Sequence, residues 1–340
     1  MAMVLRIFPN NKRFNHMYGW PWIMESIAAI DVERDVLLDP FVDATFDCAH
    51  PPTHTTAWVG IIHHPFMIAK TVYLHKPEFR ASLRACVGLI VHDETLKTCL
   101  KRYTHAIKIH VLKHPGRVDW EFSLRAWFEN EAPLVVTVGR WLRHQEAMAL
   151  YTWHQETYTD VHFLRTKRPL TPVTLHGASR AKYTGTLRAN IMGMCFVDAS
   201  ASNALIECIL SCTPVIVNRL PQIVEYLGPD YPLYFSFDET TTTVTVTTKQ
   251  VWQAYLYLKA RRETVDLSLP TYIDGVRRAL SGDDNRITVA KKLPQEIIDM
   301  IGGYYSNVYF TMMYCTDHIK LKRPDTQYPN VLGCFKWHVY

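Results

Sequence analysis

The chain has 340 residues, 48% of them hydrophobic and 20% charged, enough for two domains that each bury a core. No apolar run approaches the roughly 20 residues that a membrane-spanning helix needs, and the opening MAMVLRIFPNNKRF turns charged too soon for a signal peptide, so it reads as a first strand. The net charge of +5 suits an anionic ligand, but Lys and Arg are dispersed with no basic, aromatic-interleaved run, which argues against a nucleic-acid partner.

Along the first 125 or so residues, short apolar runs alternate with helical stretches. MVLRIF reads as a strand, WPWIMESIAAI as a helix, and DVLLDPF and TAWVGIIHH as strands. KPEFRASLRACV is a helix with Pro in its first turn; GLIVHD, ETLKTCLKRY and AIKIHVLKH then read as strand, helix and strand. Strands separated by helices of this length predict a parallel sheet covered on both faces. WEFSLRAWFENEAP, residues 120–133, breaks the alternation and reads as a connector.

The alternation then restarts. LVVTVGRW is a buried strand ending in Gly-Arg, RHQEAMALYTWHQE a helix, DVHFLR and VTLHG strands, ASRAKYTGTLRANI mostly helical, and MCFVD a strand. ECILSCTPVIVNRLPQIVEYLG compresses helix, strand, turn and helix. YPLYFSF follows as a strand, the Thr-rich ETTTTVTVTTK as a polar turn or edge strand, and KQVWQAYLYLKARRE and YIDGVRRALSG as helices. The expected organisation is an α/β chain with one domain over 1–127, a second over 128–285, and a helical tail over 286–340 that packs on the body. Eight cysteines without a CxxC read as reduced thiols.

Chemistry concentrates at strand ends, where ligands bind in such sheets. LVVTV ends in Gly139-Arg140, with Arg143 one turn on; Gly lets a backbone approach a ligand closely, and guanidinium groups beside a helix start favour phosphate. The plainer alternative is two arginines solvating a strand end. After FV come Asp198, Ser200, Ser202 and Asn203, any of which can cap the next helix, and Glu207 lies in its first turns. A carboxylate there can accept both hydroxyls of a ribose, or simply complement the helix dipole. PVIV ends in Asn218 and Arg219, and Glu225 lies one turn into the following helix, where it either secures the next turn or approaches a sugar.

VGRWLR, NALIEC and CTPVIVNRLPQIVEYLG, taken in that order, resemble the donor-binding half of glycosyltransferases with the GT-B fold. The resemblance extends from about Val135 to Phe235 and is closest to a divergent group of large DNA viruses and some bacteria. It implies two Rossmann-like domains facing across a cleft, and transfer of a hexose or pentose from a nucleotide-diphospho-sugar to a hydroxyl of a glycan or glycoprotein. It further implies a cytoplasmic location, that of the infected host if viral, and no cofactor beyond the donor. Gly139, Arg140 and Arg143 would hold the diphosphate and Glu207 the ribose. Ser202, Asn203, Asn218, Arg219 and Glu225 would complete the donor site, with Asp198 at the sugar. Two positions depart from the pattern: Ala199 stands where a second Glu is usual, and Cys212 where Gly precedes Thr-Pro.

In the first domain, WVGII ends in His63-His64, residue types suited to acid–base work near neutrality. Either would deprotonate an acceptor hydroxyl or contact the donor; the alternative is a His pair satisfied by backbone. His92 and Asp93, then Lys113 and His114, repeat the theme at the next two strand ends and suggest an acceptor site. His50, His54, His63, His64 and His75 are dense but share no ligand spacing, so no metal is expected. The alternative to an enzyme is a degenerate transferase scaffold that binds a glycan or a protein.

Overall fold

A computed structural model of the chain describes residues 3–9, 19–65, 73–104, 107–139, 142–143, 152–158, 165–175, 178–236 and 243–282. Arg140 and the tail expected over 286–340 lie outside the described residues.

The fold is α/β, built on two large sheets beside a two-stranded antiparallel pair. Before the first connector, the strands are β1 (Met3–Val4), β2 (Arg6–Ile7), β3 (Asp31–Val32), β4 (Leu37–Asp39), β5 (Trp58–Ile61), β6 (Cys86–Val91) and β7 (Ile109–Val111). Strands β2-β4-β5-β6-β7 form one sheet in that order, parallel throughout. Helices α1 (Trp20–Ala28), α2 (Val42–Asp47), α3 (Pro77–Ser82) and α4 (Glu94–Thr104) lie between the strands. Both faces of a parallel sheet must be covered, so its strands read as continuous apolar runs; WVGI of β5 is buried at every position.

The connector contains a helix of its own, α5 (Leu124–Glu129), whose capping Ser123 accepts from the Ala126 N–H. The second sheet comprises β8 (Leu134–Val138), β9 (Thr152–Tyr158), β10 (Arg165–Leu175), β11 (Ile191–Met194), β12 (Val215–Asn218), β13 (Tyr234–Phe235) and β14 (Thr243–Thr247). Its order is β13-β12-β11-β8-β10-β9-β14, and the first five of these are mutually parallel. The remaining helices are α6 (Arg180–Leu187), α7 (Asn203–Ser211), α8 (Pro221–Leu227), α9 (Thr248–Thr264) and α10 (Leu269–Ser281). Ser or Thr caps α6, α7, α9 and α10, in each case accepting a backbone N–H of the first turn.

One expectation is corrected here. TWHQE, read as the end of a helix, lies in β9, which pairs antiparallel with β10. Its aromatic and Thr content suits a strand, and the pairing with a distant segment overrides the local helical reading. The Thr-rich segment forms the edge strand β14, parallel to β9.

Helix α10 follows the second sheet in sequence but packs on the first. Tyr272, Ile273, Val276, Ala279 and Leu280 join Ile23, Ile27, Leu38, Val59, Ile61 and Ile90 in one core cluster. Gly275 permits the approach: a Cβ there would lie 2.4 Å from the Leu112 side chain. No helix among the described residues is long and apolar enough to cross a membrane.

Candidate active site

The carboxyl ends of the two sheets meet, and the candidate residues sort into three groups. The first surrounds the turn after β8. Gly139 has φ +73° and Leu142 φ 55°, both in the left-handed region; a Cβ on Gly139 would lie 3.0 Å from the Arg143 guanidinium. The Leu142 carbonyl accepts from the Val197 N–H at 2.9 Å, which fixes Arg143 beside the end of β11. Arg143 lies over the Phe196 ring, 5.1 Å from its centroid, and donates one N–H to Ser202 Oγ at 3.4 Å. Its Nε and Nη1 are sealed from solvent with no hydrogen-bond partner among the described residues. Burial pulls this guanidinium down to about 10, against the opposing influence of Tyr183, Cys208 and Glu207.

Ser202 caps α7, and Asn203 is its half-buried first residue. Glu207, one turn on, is only 7% exposed. Its Oε2 accepts from the Tyr183 hydroxyl, supplied by α6. Burial pushes the Glu207 carboxyl up to about 7, opposed by the Tyr183 hydrogen bond and by Arg143. Arg143, Ser202 and Glu207 therefore form one cluster of anion-binding and hydroxyl-binding groups.

Other expected donor residues are occupied differently. Asn218 binds both backbone groups of Phe196, its Oδ1 accepting at 2.7 Å and its Nδ2 donating at 2.9 Å, and so extends the β11–β12 ladder. Arg219 is exposed over Tyr234. Asp198 is buried and its Oδ1 accepts from the Ala199 N–H and from Gln222 Nε2. Cys212, where the resemblance leads one to expect Gly, ends α7 in the left-handed region at φ 58°, a conformation that favours Gly.

The second group joins the two halves. Glu225, expected at the donor, points instead to the start of α4. Its carboxylate accepts from the backbone N–H of Glu94 (2.8 Å) and Thr95 (3.1 Å), from Thr95 Oγ1 (2.8 Å) and from Lys113 Nζ (3.1 Å). A carboxylate at a helix N-terminus satisfies orphan donors and complements the dipole. Beside it, Tyr226 donates its hydroxyl to the His92 carbonyl and accepts from the His114 N–H. Asp93 accepts from the Leu96 N–H and from Ser200 Oγ across the junction. Burial and the neighbouring Glu225 push Asp93 up to about 8.

The third group is aromatic. His63, at the end of β5, donates Nε2–H to the Pro40 carbonyl at 3.0 Å and stacks on Phe41 at 4.2 Å. His92 lies 5.0 Å from His63 and 5.1 Å from His114, ring centre to ring centre. His92 Nδ1–H donates to the Leu112 carbonyl, so Nε2 carries the lone pair, and that atom is buried without a partner among the described residues. Burial holds His63 well below its ordinary value and His92 down to about 4, so both are neutral near pH 7. His64 is half-buried beside Asp43.

The depressed His92 value predicts acid sensitivity. Between its unfolded pKa and its folded one, the unfolded chain binds the proton and the folded chain does not, so stability rises with pH across that window. Acidification from about pH 6.5 to 4 should cost about 3 kcal/mol through this residue. His92→Asn keeps an N–H near the Leu112 carbonyl and cannot titrate. Denaturant unfolding at several pH values should show a shallower acid slope in the variant; an unchanged slope would refute the assignment.

No protein-family model and no curated protein matches the chain. Among solved structures, it is similar to a trehalose-6-phosphate synthase studied for glycosyl transfer with retention (9% identity, TM-score 0.43, covering 75% of each chain). It is also similar to the N-terminal domain of Candida albicans trehalose-6-phosphate phosphatase (9% identity, TM-score 0.44, covering 76% of this chain and 74% of that one). A third is the pneumococcal O-GlcNAc transferase GtfA (12% identity, TM-score 0.37, covering 82% of this chain and 57% of that one).

Sequence reasoning missed Tyr183 and left Glu225 between a neighbouring turn and a sugar. Tyr183 sits in a helix with no motif and meets Glu207 only through the fold. Glu225 had an appropriate residue type, but its partners lie 112 to 131 residues away in the chain.

Proposed function

We propose that the protein is a glycosyltransferase that takes its sugar from a nucleotide-diphospho-sugar held on the second sheet. The observation that carries this reading is the Arg143 guanidinium, buried at the Gly139 turn with two N–H-bearing nitrogens unpartnered, beside the capped start of α7. A buried cation with unused donors is costly unless an anion completes it. A diphosphate supplies that charge, and the same guanidinium would stabilise the negative charge developing on it as the glycosidic bond breaks. Glu207 would accept from the nucleoside sugar, and Ser202 and Asn203 would line the donor near its phosphates. Arg140, next to Gly139, would add a second cation.

In this reading His63 and His64 face the acceptor, with His92 and His114 behind them. An imidazole at this strand end would accept the proton of a glycan hydroxyl or contact the donor. Asp198 would contact the transferred sugar. The donor is the only cosubstrate, and no metal is required because Arg143 and helix ends take the diphosphate charge. The acceptor is a hydroxyl of a glycan or glycoprotein, the sugar a hexose or pentose, and the setting cytoplasmic.

One observation favours a second reading. Ala199 lacks the usual carboxylate, and Asp198 beside it is engaged with Gln222, as in a scaffold that retains binding but not chemistry. Incubation with a panel of nucleotide sugars decides between them. Release of nucleoside diphosphate supports the transferase. A thermal shift without release supports the binding module, and neither response to any nucleotide would overturn both donor readings.

A further inference from the structure

Resting on the donor reading above, we propose that Tyr183 is a positioning residue that keeps Glu207 from pairing with Arg143, so that both groups stay open to the donor. Arg143 and Glu207 share one buried cluster, and each acts on the protonation of the other. Opposite charges attract far more strongly in the interior than in water. Yet no hydrogen bond or ion pair joins these two. Arg143 donates to Ser202 Oγ at 3.4 Å and leaves Nε and Nη1 unpartnered among the described residues. The Glu207 carboxylate accepts from the Tyr183 hydroxyl instead.

Helix geometry directs Glu207 toward Arg143. Side chains on a helix lean toward its N-terminus, and Arg143 stands at the N-terminus of α7, bonded to the capping Ser202. A swing of the carboxylate onto Nε and Nη1 would neutralise both groups. The diphosphate would then lose its guanidinium, and the nucleoside sugar its acceptor. Tyr183 can oppose that swing because it is itself fixed. It is 4% exposed on α6, its N–H donates to the Ser179 carbonyl at 2.9 Å, and its ring stands edge-on to Trp120 at 6.5 Å. Moving the carboxylate away would strand a buried phenol hydroxyl, a cost that works against the ion pair.

The test is titration of the full chain with pyrophosphate and with a panel of nucleoside diphosphates. Tyr183→Phe frees Glu207 to pair with Arg143, so both kinds of ligand should bind at least about tenfold more weakly, the scale of one charge-assisted hydrogen bond. Removing Glu207 as well should rescue the anion. Tyr183→Phe/Glu207→Ala should bind pyrophosphate within about threefold of Glu207→Ala alone. A Tyr183 that only supported local packing would not be rescued by the loss of Glu207. Undiminished pyrophosphate affinity in Tyr183→Phe, or a loss that persists in the double variant, overturns the inference and leaves the donor reading standing. If Tyr183→Phe does not fold, Glu207→Gln decides, since it keeps an acceptor for Tyr183 and cannot form an ion pair. Its pyrophosphate affinity should exceed that of the wild type by less than about tenfold; a larger gain shows that Glu207 already competes for Arg143, and overturns the inference. Failure of the wild-type chain to bind pyrophosphate or any nucleoside diphosphate overturns the donor reading itself, and this inference with it.

Discussion

Replacing Glu225 with Ala should lower the unfolding free energy by about 3–5 kcal/mol, the scale for removing one partner from a buried charged network. The Glu225 side chain is only 2% exposed, and its loss leaves the N–H groups of Glu94 and Thr95, the Thr95 hydroxyl and the Lys113 ammonium without their acceptor. Each buried donor left unmade costs about 1–3 kcal/mol, less what water or a shifted side chain recovers. Lys113 is a quarter exposed, so Lys113→Ala should cost only about 1 kcal/mol. Denaturant midpoints measure both. Hydrogen exchange gives a second reading, because the amides of Glu94 and Thr95 should lose protection first. A Glu225→Ala loss no larger than that of Lys113→Ala would show that Glu225 does not tie the two halves together.

The second large effect is at Arg143. Arg143→Met keeps the apolar stem against Phe196 and removes the charge. Nucleoside diphosphate affinity should fall about 100-fold, since a hydrogen bond to a charged group contributes about 1.5–3 kcal/mol and Arg143 offers more than one. Binding of the bare nucleoside should not change. The ligand-free protein should become no less stable, and its melting temperature should rise, because a buried guanidinium with unpartnered nitrogens is destabilising by itself. Arg143→Lys keeps the charge but not the planar fork, so its affinity should lie between the two. The combination of lost binding and undiminished stability separates a ligand-binding arginine from a structural one. If Arg143→Met unfolds the protein at lower temperature and binds nucleotide normally, the anion role is refuted.

Much of this was legible in the chain. The parallel sheets followed from apolar runs such as WVGI and VIVN spaced by helices, and Ser202 could be read as a cap from its position before a helical apolar pattern. Gly139 and Arg143 could be paired with a strand end because the local order of residues determines a turn. The β9 strand was not legible, since its β structure depends on pairing with residues 165–170 and β14. Nor was the placement of α10, whose apolar face would suit either sheet until Leu112 and Gly275 are seen to fit together.

The residue types at the strand ends, the helix caps and the apolar periodicity are local, short-range properties, and the sequence by itself determined them. It thereby determined the α/β class and the positions where chemistry gathers. Which groups remain available for that chemistry was decided only by the tertiary structure. Glu207 and Glu225 look equivalent in ECILSCTPVIVNRLPQIVEYLG, yet one retains an oxygen without a described partner and the other is filled by four donors from the opposite half. The difference arises because a buried carboxylate takes its character from whatever donors the fold places around it, and those donors lie 24 and more than 100 residues away.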